Sequence, residues 1–296
     1  MFLGDTDRNG VASSAAWKAF GFDVDGVDTR TSRQGTCRPI SNGVVALDGV
    51  DGIDNSFGAS LLTAMQQVSP GFGTPSSKVT QAIAAGGQTM ILDTAGLDDS
   101  ATQSAIGLAG QLFVGASKSV APRFDGTDEW PIDGAYLVDR NDLSRGAKTK
   151  FQSAYVRDGV WVSGPAADIT IGLPLEDGVH PLLLRRAVIT AHHVSRDNLT
   201  YGTISGAAAV ADFVAMVASV AGAISPEACP GRPLFAAVKE RVEASADVRL
   251  AGPDPTKDCD AISFGLGFDA KAVRVPAVVA PARAAPPDPC AADAGR

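Results

Sequence analysis

Between residues 88 and 193 the chain is written in short apolar runs, at 89–92, 106–114, 151–162, 169–175 and 182–191, separated by Gly, Pro, Asn and Asp. Turn signals such as Arg157-Asp158-Gly159 and Glu176-Asp177-Gly178 sit at or between the runs. Runs of this length and spacing suit antiparallel strands, because an Asp-Gly or Gly turn can reverse the chain in a few residues. No long helix fits here.

Outside this stretch the apolar period changes. Leu61, Met65 and Val68 recur at helical spacing, so 59–68 predicts a helix that Pro70-Gly71 ends. A short helix is predicted at 78–85 with Gly86 as its cap, and another at 13–20 behind Ser13. Val210, Phe213, Val214, Val217 and Val220 mark one face of a helix over 207–221, and 234–246 reads as a second. Ile262, Phe264, Leu266 and Phe268 alternate with smaller residues and describe a late strand. The fold class expected is α+β and mainly β: an antiparallel β-sandwich or barrel-like core with two helices of the C-terminal half packed on it. Residues 1–58 form an Asp-rich loop segment on that core, 59–275 the core itself, and 276–296 a Pro- and Ala-rich tail.

The acidic side chains are lopsided, with 28 Asp against 5 Glu. Asp favours turns, where its short carboxylate accepts nearby backbone N–H groups, and it is a hard oxygen ligand for calcium. Asp5-Thr6-Asp7-Arg8-Asn9-Gly10 has the spacing of half a calcium loop, with oxygens from Asp5, Asp7 and Asn9, a turn glycine, and the Val11 carbonyl. Its twelfth position is Ala16, so the missing ligand must come from elsewhere, and Asp23, Asp25 and Asp28 are at hand. The competing reading is an Asx-turn without metal. Asp48, Asp51 and Asp54 form a second cluster, for which ordinary turn formation is the simpler account. Calcium, as a structural ion, is the one cofactor expected.

Four widely spaced cysteines, Cys37, Cys229, Cys259 and Cys290, suit disulfides in an oxidising compartment better than a zinc or redox motif. Spacing does not fix connectivity; Cys229 with Cys259 is the expected pair, tying the intervening helix to the late strand. No apolar stretch is long enough to span a membrane, and Met1-Phe2-Leu3-Gly4-Asp5 shows no signal sequence. Either the numbering starts inside a longer precursor or the protein is cytoplasmic with reduced cysteines, and the extracytoplasmic location is the one expected. The net charge of −8 argues against a nucleic acid partner.

Catalytic signatures are missing: no Gly-x-Ser-x-Gly elbow, no P-loop, no dinucleotide fingerprint and no His-Glu-x-x-His. His192 and His193 are neighbours in a predicted strand, so they face opposite ways and do not chelate one ion together. Asp125, Asp128 and Glu129 beside Trp130 have the composition of a sugar-binding cleft, and a solvated acidic loop explains them as well.

The segments Phe22-Asp-Val-Asp-Gly26, Cys37, 48–58, Tyr155-Val-Arg-Asp-Gly-Val-Trp-Val162, Gly202-Thr-Ile-Ser-Gly206, Cys229 and Cys259-Asp-Ala-Ile-Ser-Phe-Gly-Leu-Gly-Phe268 together resemble a family of uncharacterised secreted proteins and lipoproteins of myxobacteria and related bacteria. The resemblance implies an envelope or secreted location, often through a lipidated N-terminal cysteine, which this chain does not display. It implies no activity. The function expected is that of an exported, non-catalytic envelope or extracellular binding protein with structural calcium loops, its ligand a glycan or a protein. The alternative is a hydrolase of carbohydrate or another envelope polymer.

Overall fold

A computed structural model describes residues 1–31, 36–40, 43, 47–68, 74–175, 178–276, 279–281 and 290. Its centre is an antiparallel sheet built from β1 (Thr89–Thr94), β2 (Ala105–Gly115), β5 (Thr149–Arg157), β6 (Val160–Val162), β7 (Ala167–Leu175), β8 (Gly178–Ser195), β9 (Asn198–Ala209) and β10 (Ala261–Lys271). The order across it is β1-β2-β5-β6-β8-β9-β10, with β7 attached to β8, and the sheet curls into a half-barrel. A separate hairpin joins β3 (Leu137–Asp139) to β4 (Asp142–Ala147). The fold is thus α+β and mainly β, and of the two architectures expected the barrel-like one is present.

The curl has a local cause in β8. Its first half pairs with β7 and its second half with β6, and its register against β9 shifts between Arg185 and Val188, where Arg186 has a φ of 52°. An extra residue in one strand bends it and increases its twist, which lets one long strand serve two neighbours. The predicted Asp158-Gly159 turn joins β5 to β6, with both residues at positive φ.

The interior is filled from the strands by Trp161, Ile171, Leu184, Ile262 and Phe264, and from outside the sheet by Phe57, Leu62, Phe213 and Met216. Phe57 stacks on Phe264 at 4.4 Å between ring centroids, and Phe213 meets both rings. These aromatics belong to a helical turn at Phe57–Leu61 that runs into α1 (Leu62–Val68), and to α3 (Val210–Ile224). Helices α2 (Pro75–Ala84) and α4 (Pro233–Ala244) complete the set among the described residues. The helix predicted from residue 207 starts three residues later, because Ala207, Ala208 and Ala209 pair with Ser263, Ile262 and Ala261 as the end of β9. The predicted 13–20 helix is only a 3-10 turn at Ala16–Ala19. Pro70-Gly71, expected to end α1, lies outside the described residues, as does Glu176-Asp177.

The N-terminal segment is stitched to the sheet at several points. Phe2 bridges Gly267 of β10, and the Phe22 N–H donates to Ser205 Oγ at 3.0 Å. The buried Asn55 donates through Nδ2 to the carbonyls of Trp17, Phe20 and Gly265 and accepts through Oδ1 from the Gly58 and Gly265 N–H groups.

The disulfides correct the expected pairing of Cys229 with Cys259. Cys37 is joined to Cys259 and Cys229 to Cys290, with Cα separations of 5.1 and 5.5 Å. The reason is backbone register: Arg38 donates to the Lys257 carbonyl and accepts from Cys259 N–H, which draws Cys37 alongside Cys259. Cys229 follows the 3-10 turn Pro226–Ala228 between α3 and α4 and meets the C-terminal segment there. That segment also bridges Ile132 through Val279, so the expected tail is tied to the core at its described residues. Among the described residues no helix is long and apolar enough to cross a membrane.

Candidate metal centre

Two Asp-rich loops fold against each other at the edge of the core. The first carries Asp23 and Asp25, and the second runs from Asp48 through a 3-10 turn at Val50–Gly52 to Asp54. The Asp54 N–H donates to the Phe22 carbonyl at 3.1 Å, which sets the loops side by side. Asp54 Oδ2 then accepts the N–H groups of Val24 at 2.7 Å and Asp25 at 3.3 Å. Gly26, at φ 83°, turns the chain so that its N–H meets Asp23 Oδ1.

One oxygen each from Asp23, Asp25 and Asp54 then lies within 4.8 Å of the other two. Asp25 is 6% exposed and Asp54 4%. Asp25 Oδ1 accepts the Val27 N–H, but Asp25 Oδ2 is buried and receives no hydrogen bond. Thr36 is close by, yet its hydroxyl donates to the Asp247 carbonyl at 3.0 Å. Asp48 stands behind the cluster and accepts both the N–H and the hydroxyl of Thr29.

The electrostatics are one-sided. Burial, followed by the charges of Asp247, Asp25 and Asp48, pushes the Asp54 carboxyl up to about 9. Burial raises Asp25 as well, opposed by the Val27 N–H and by the nearby Thr36 hydroxyl, with Asp23 and Asp48 adding to the rise. Asp247 is pushed by burial up to about 7 despite its bonds from Ser263. Among the described residues, the side-chain charges that raise these three groups are those of other carboxylates. The neighbouring cation, Arg30, is turned outward onto Asp28 at 2.6 Å and Asp51 at 3.6 Å. Burying like charges together is unfavourable unless a proton or a cation offsets them.

The donor set suits a hard cation. It is all oxygen, without His or Cys, and carboxylates on adjacent loops are the usual material of a calcium site. Asp23, Asp25 and Asp54 would hold the ion. The chemistry supplied is charge compensation, with backbone carbonyls or water completing the six to eight oxygens calcium takes.

The remaining predicted ligands are placed otherwise. Asp5 is spent on Ser76 at the start of α2, accepting from both its N–H and its hydroxyl. Asp7 Oδ1 accepts the N–H groups of Asn9 and Val11 at 2.9 Å each, and the Gly10 N–H returns to the Asp7 carbonyl. Asp7 and Asn9 thus form an Asx-turn, while the Asp5 carboxylate is bonded to Ser76. Asp51 is exposed on the Arg30 side. The structure draws two residues from the first predicted set and one from the second into one cluster, and adds Asp247 to its surroundings. Asp247 carries no local signal, being a single Asp between a helix and a strand.

Asp125, Asp128 and Glu129 are placed differently from one another. Asp128 is buried and accepts from the N–H groups of Arg123 and Phe124 and from Lys118 Nζ at 3.3 Å. Burial favours a raised pKa there, but those three bonds hold the carboxyl below the ordinary range. Asp125 caps its own turn at Thr127, and Glu129 is exposed. Trp130 is 1% exposed, packed with Phe113 and Ile132, and gives no platform for a sugar. His192 and His193 face opposite ways as expected, the first exposed and the second buried. Comparison with protein-family models, curated proteins and solved structures found no match.

Proposed function

We propose that this is an exported, non-catalytic binding protein whose Asp-rich N-terminal segment is fastened to the half-barrel by a structural calcium ion at Asp23, Asp25 and Asp54. The observation that carries the cation is the buried Asp25 Oδ2, which receives no hydrogen bond among the described residues, within a triad where burial and other carboxylates raise Asp25 and Asp54. Two disulfides support an oxidising, extracytoplasmic setting. The resemblance to secreted proteins and lipoproteins favours the envelope or the exterior within that setting.

Binding is favoured over hydrolysis because the carboxylates are committed. A hydrolase needs a general acid with a raised pKa facing a cleft, and Asp128, the buried member of its set, is shifted the other way. Calorimetric titration of chelator-treated protein with calcium tests the reading. Saturable binding is expected, with a higher melting temperature, and Asp25→Asn abolishes both. Unchanged melting in chelator and no heat of binding defeat the calcium assignment; glycan hydrolysis by the folded protein defeats the non-catalytic one.

A further inference from the structure

A cavity of about 360 Å³ opens between the two ends of the curled sheet. It touches all six residues of β1 and an unbroken stretch from Phe268 to Val273. Successive side chains of a strand point to opposite faces, so a cavity that reaches every residue of a run lies along the strand's edge. The two sides of β1 agree: Ile91 packs with Phe113 and Trp130, whereas Leu92 packs with Leu112 in the main core, and the cavity meets both. It is a seam between the terminal strands.

The seam's direction follows from the strand order. Each of the six steps from β1 to β10 is antiparallel, so β1 and β10 run the same way. They cannot close on each other as an antiparallel pair. A single strand laid antiparallel to both would pair with both and close the barrel. The outer edge of β1 has no backbone partner among the described residues. The edge of β10 already shows the pairing direction, since Phe2 and Gly267 exchange N–H···O bonds at 2.7 and 2.8 Å as an antiparallel bridge, and Met1 reaches the cavity.

We infer that this seam takes an extended peptide segment of a partner protein, running antiparallel to β1 and β10 and continuing the line that Phe2 begins. The segment is about six residues, or about 20 Å, to match β1. It is free of proline, which would remove a ladder donor, and apolar at alternate positions, which meet Leu112, Ile189 and Ile204 on the cavity floor. The inference rests on the binding reading above and not on the calcium.

The probe is a fluorescein-labelled, capped peptide of alternating threonine with valine or isoleucine between terminal lysines, titrated into calcium-saturated protein. Saturable anisotropy is expected, at least tenfold weaker when the central isoleucine of the peptide is proline. Hydrogen exchange should show new protection at 89–94 and 268–271. Leu92→Trp, at the half-buried lip, should weaken binding at least tenfold, and Leu112→Trp does the same from the floor. Absence of saturable binding, protection confined to other strands, or occupation of the cavity by laurate with no peptide competition each overturns the proposal. Calcium titration of chelator-treated protein from the same preparation separates the two readings: peptide binding absent while calcium binding stands refutes the seam alone.

Discussion

Asp54 Oδ2 accepts the Val24 N–H at 2.7 Å and, together with the Asp54 N–H donated to the Phe22 carbonyl, fixes one Asp-rich loop onto the other inside a cluster of like charges. The Asp54 carboxyl is raised to about 9 from an ordinary value of 3.8, chiefly by burial and then by Asp247, Asp25 and Asp48. In the metal-free protein the folded state therefore holds a proton that the unfolded chain has released over the window between those values. Stability contributed by that proton is complete below pH 3.8 and is lost as pH rises towards 9, with slope up to about 1.4 kcal/mol per pH unit. Asp247, raised to about 7, adds to the loss between 3.8 and 7. Calcium binds the ionised carboxylates, so it should reverse the trend: melting temperature in chelator falls from pH 5 to pH 8, and the increment given by calcium grows over the same range. A melting temperature in chelator that rises across this window would falsify the assignment of Asp54 as a buried acid.

Asn55→Ala removes five hydrogen bonds from a residue that is 2% exposed, and it leaves the Gly265 N–H and the carbonyls of Trp17, Phe20 and Gly265 without this partner. Stranded buried groups each forfeit about 1–3 kcal/mol where water cannot reach them, so a loss of about 3–5 kcal/mol is expected. Denaturant unfolding measures it. Because Asn55 adjoins Asp54, calcium affinity should fall in the same variant.

Strands were legible in the chain because each apolar run ends at a residue whose backbone preference is local: Asp158 and Gly159 turn β5 into β6 without help from elsewhere. The ends of helices were less so, since Ala207 to Ala209 have the letters of a helix and become strand only because Ala261 to Ser263 lie opposite. The candidate site was legible in halves. Asp25-Gly-Val-Asp28 and Asp48-Gly-Val-Asp51 are the same four letters, but which carboxylates converge depends on the Asp54 to Phe22 bond. Asp5 shows the reverse case. Its spacing to Asp7 and Asn9 is right for calcium, and Ser76, far along the chain, takes its carboxylate instead.

Arg8 lies over the rings of Phe20 at 4.9 Å and Tyr201 at 5.2 Å, and its Nη2 donates to the Gly202 carbonyl at 3.2 Å. The guanidinium thus fastens the Asx-turn segment to β9. Arg8→Lys keeps the charge and loses the planar stacking and the forked donors, so it should lower stability by about 1–2 kcal/mol. Thermal unfolding at two salt concentrations distinguishes this from a charge effect, which would shrink with salt.

The two disulfides close loops of very different length, with sequence separations of 222 and 61. On loop entropy alone the Cys37–Cys259 bond stabilises by about 5 kcal/mol and the Cys229–Cys290 bond by about 4 kcal/mol. The larger difference between them is in what each holds. Cys37 anchors the end of the segment that carries Asp23 and Asp25, and Thr36 beside it is bonded to Asp247. Replacing Cys37 and Cys259 together by serine should therefore weaken calcium binding at least tenfold as well as lower the melting temperature. Replacing Cys229 and Cys290 should lower the melting temperature and leave calcium affinity within twofold of the parent. Titration calorimetry on both double variants reads the contrast, and equal effects on calcium would place the ion away from the Cys37 segment.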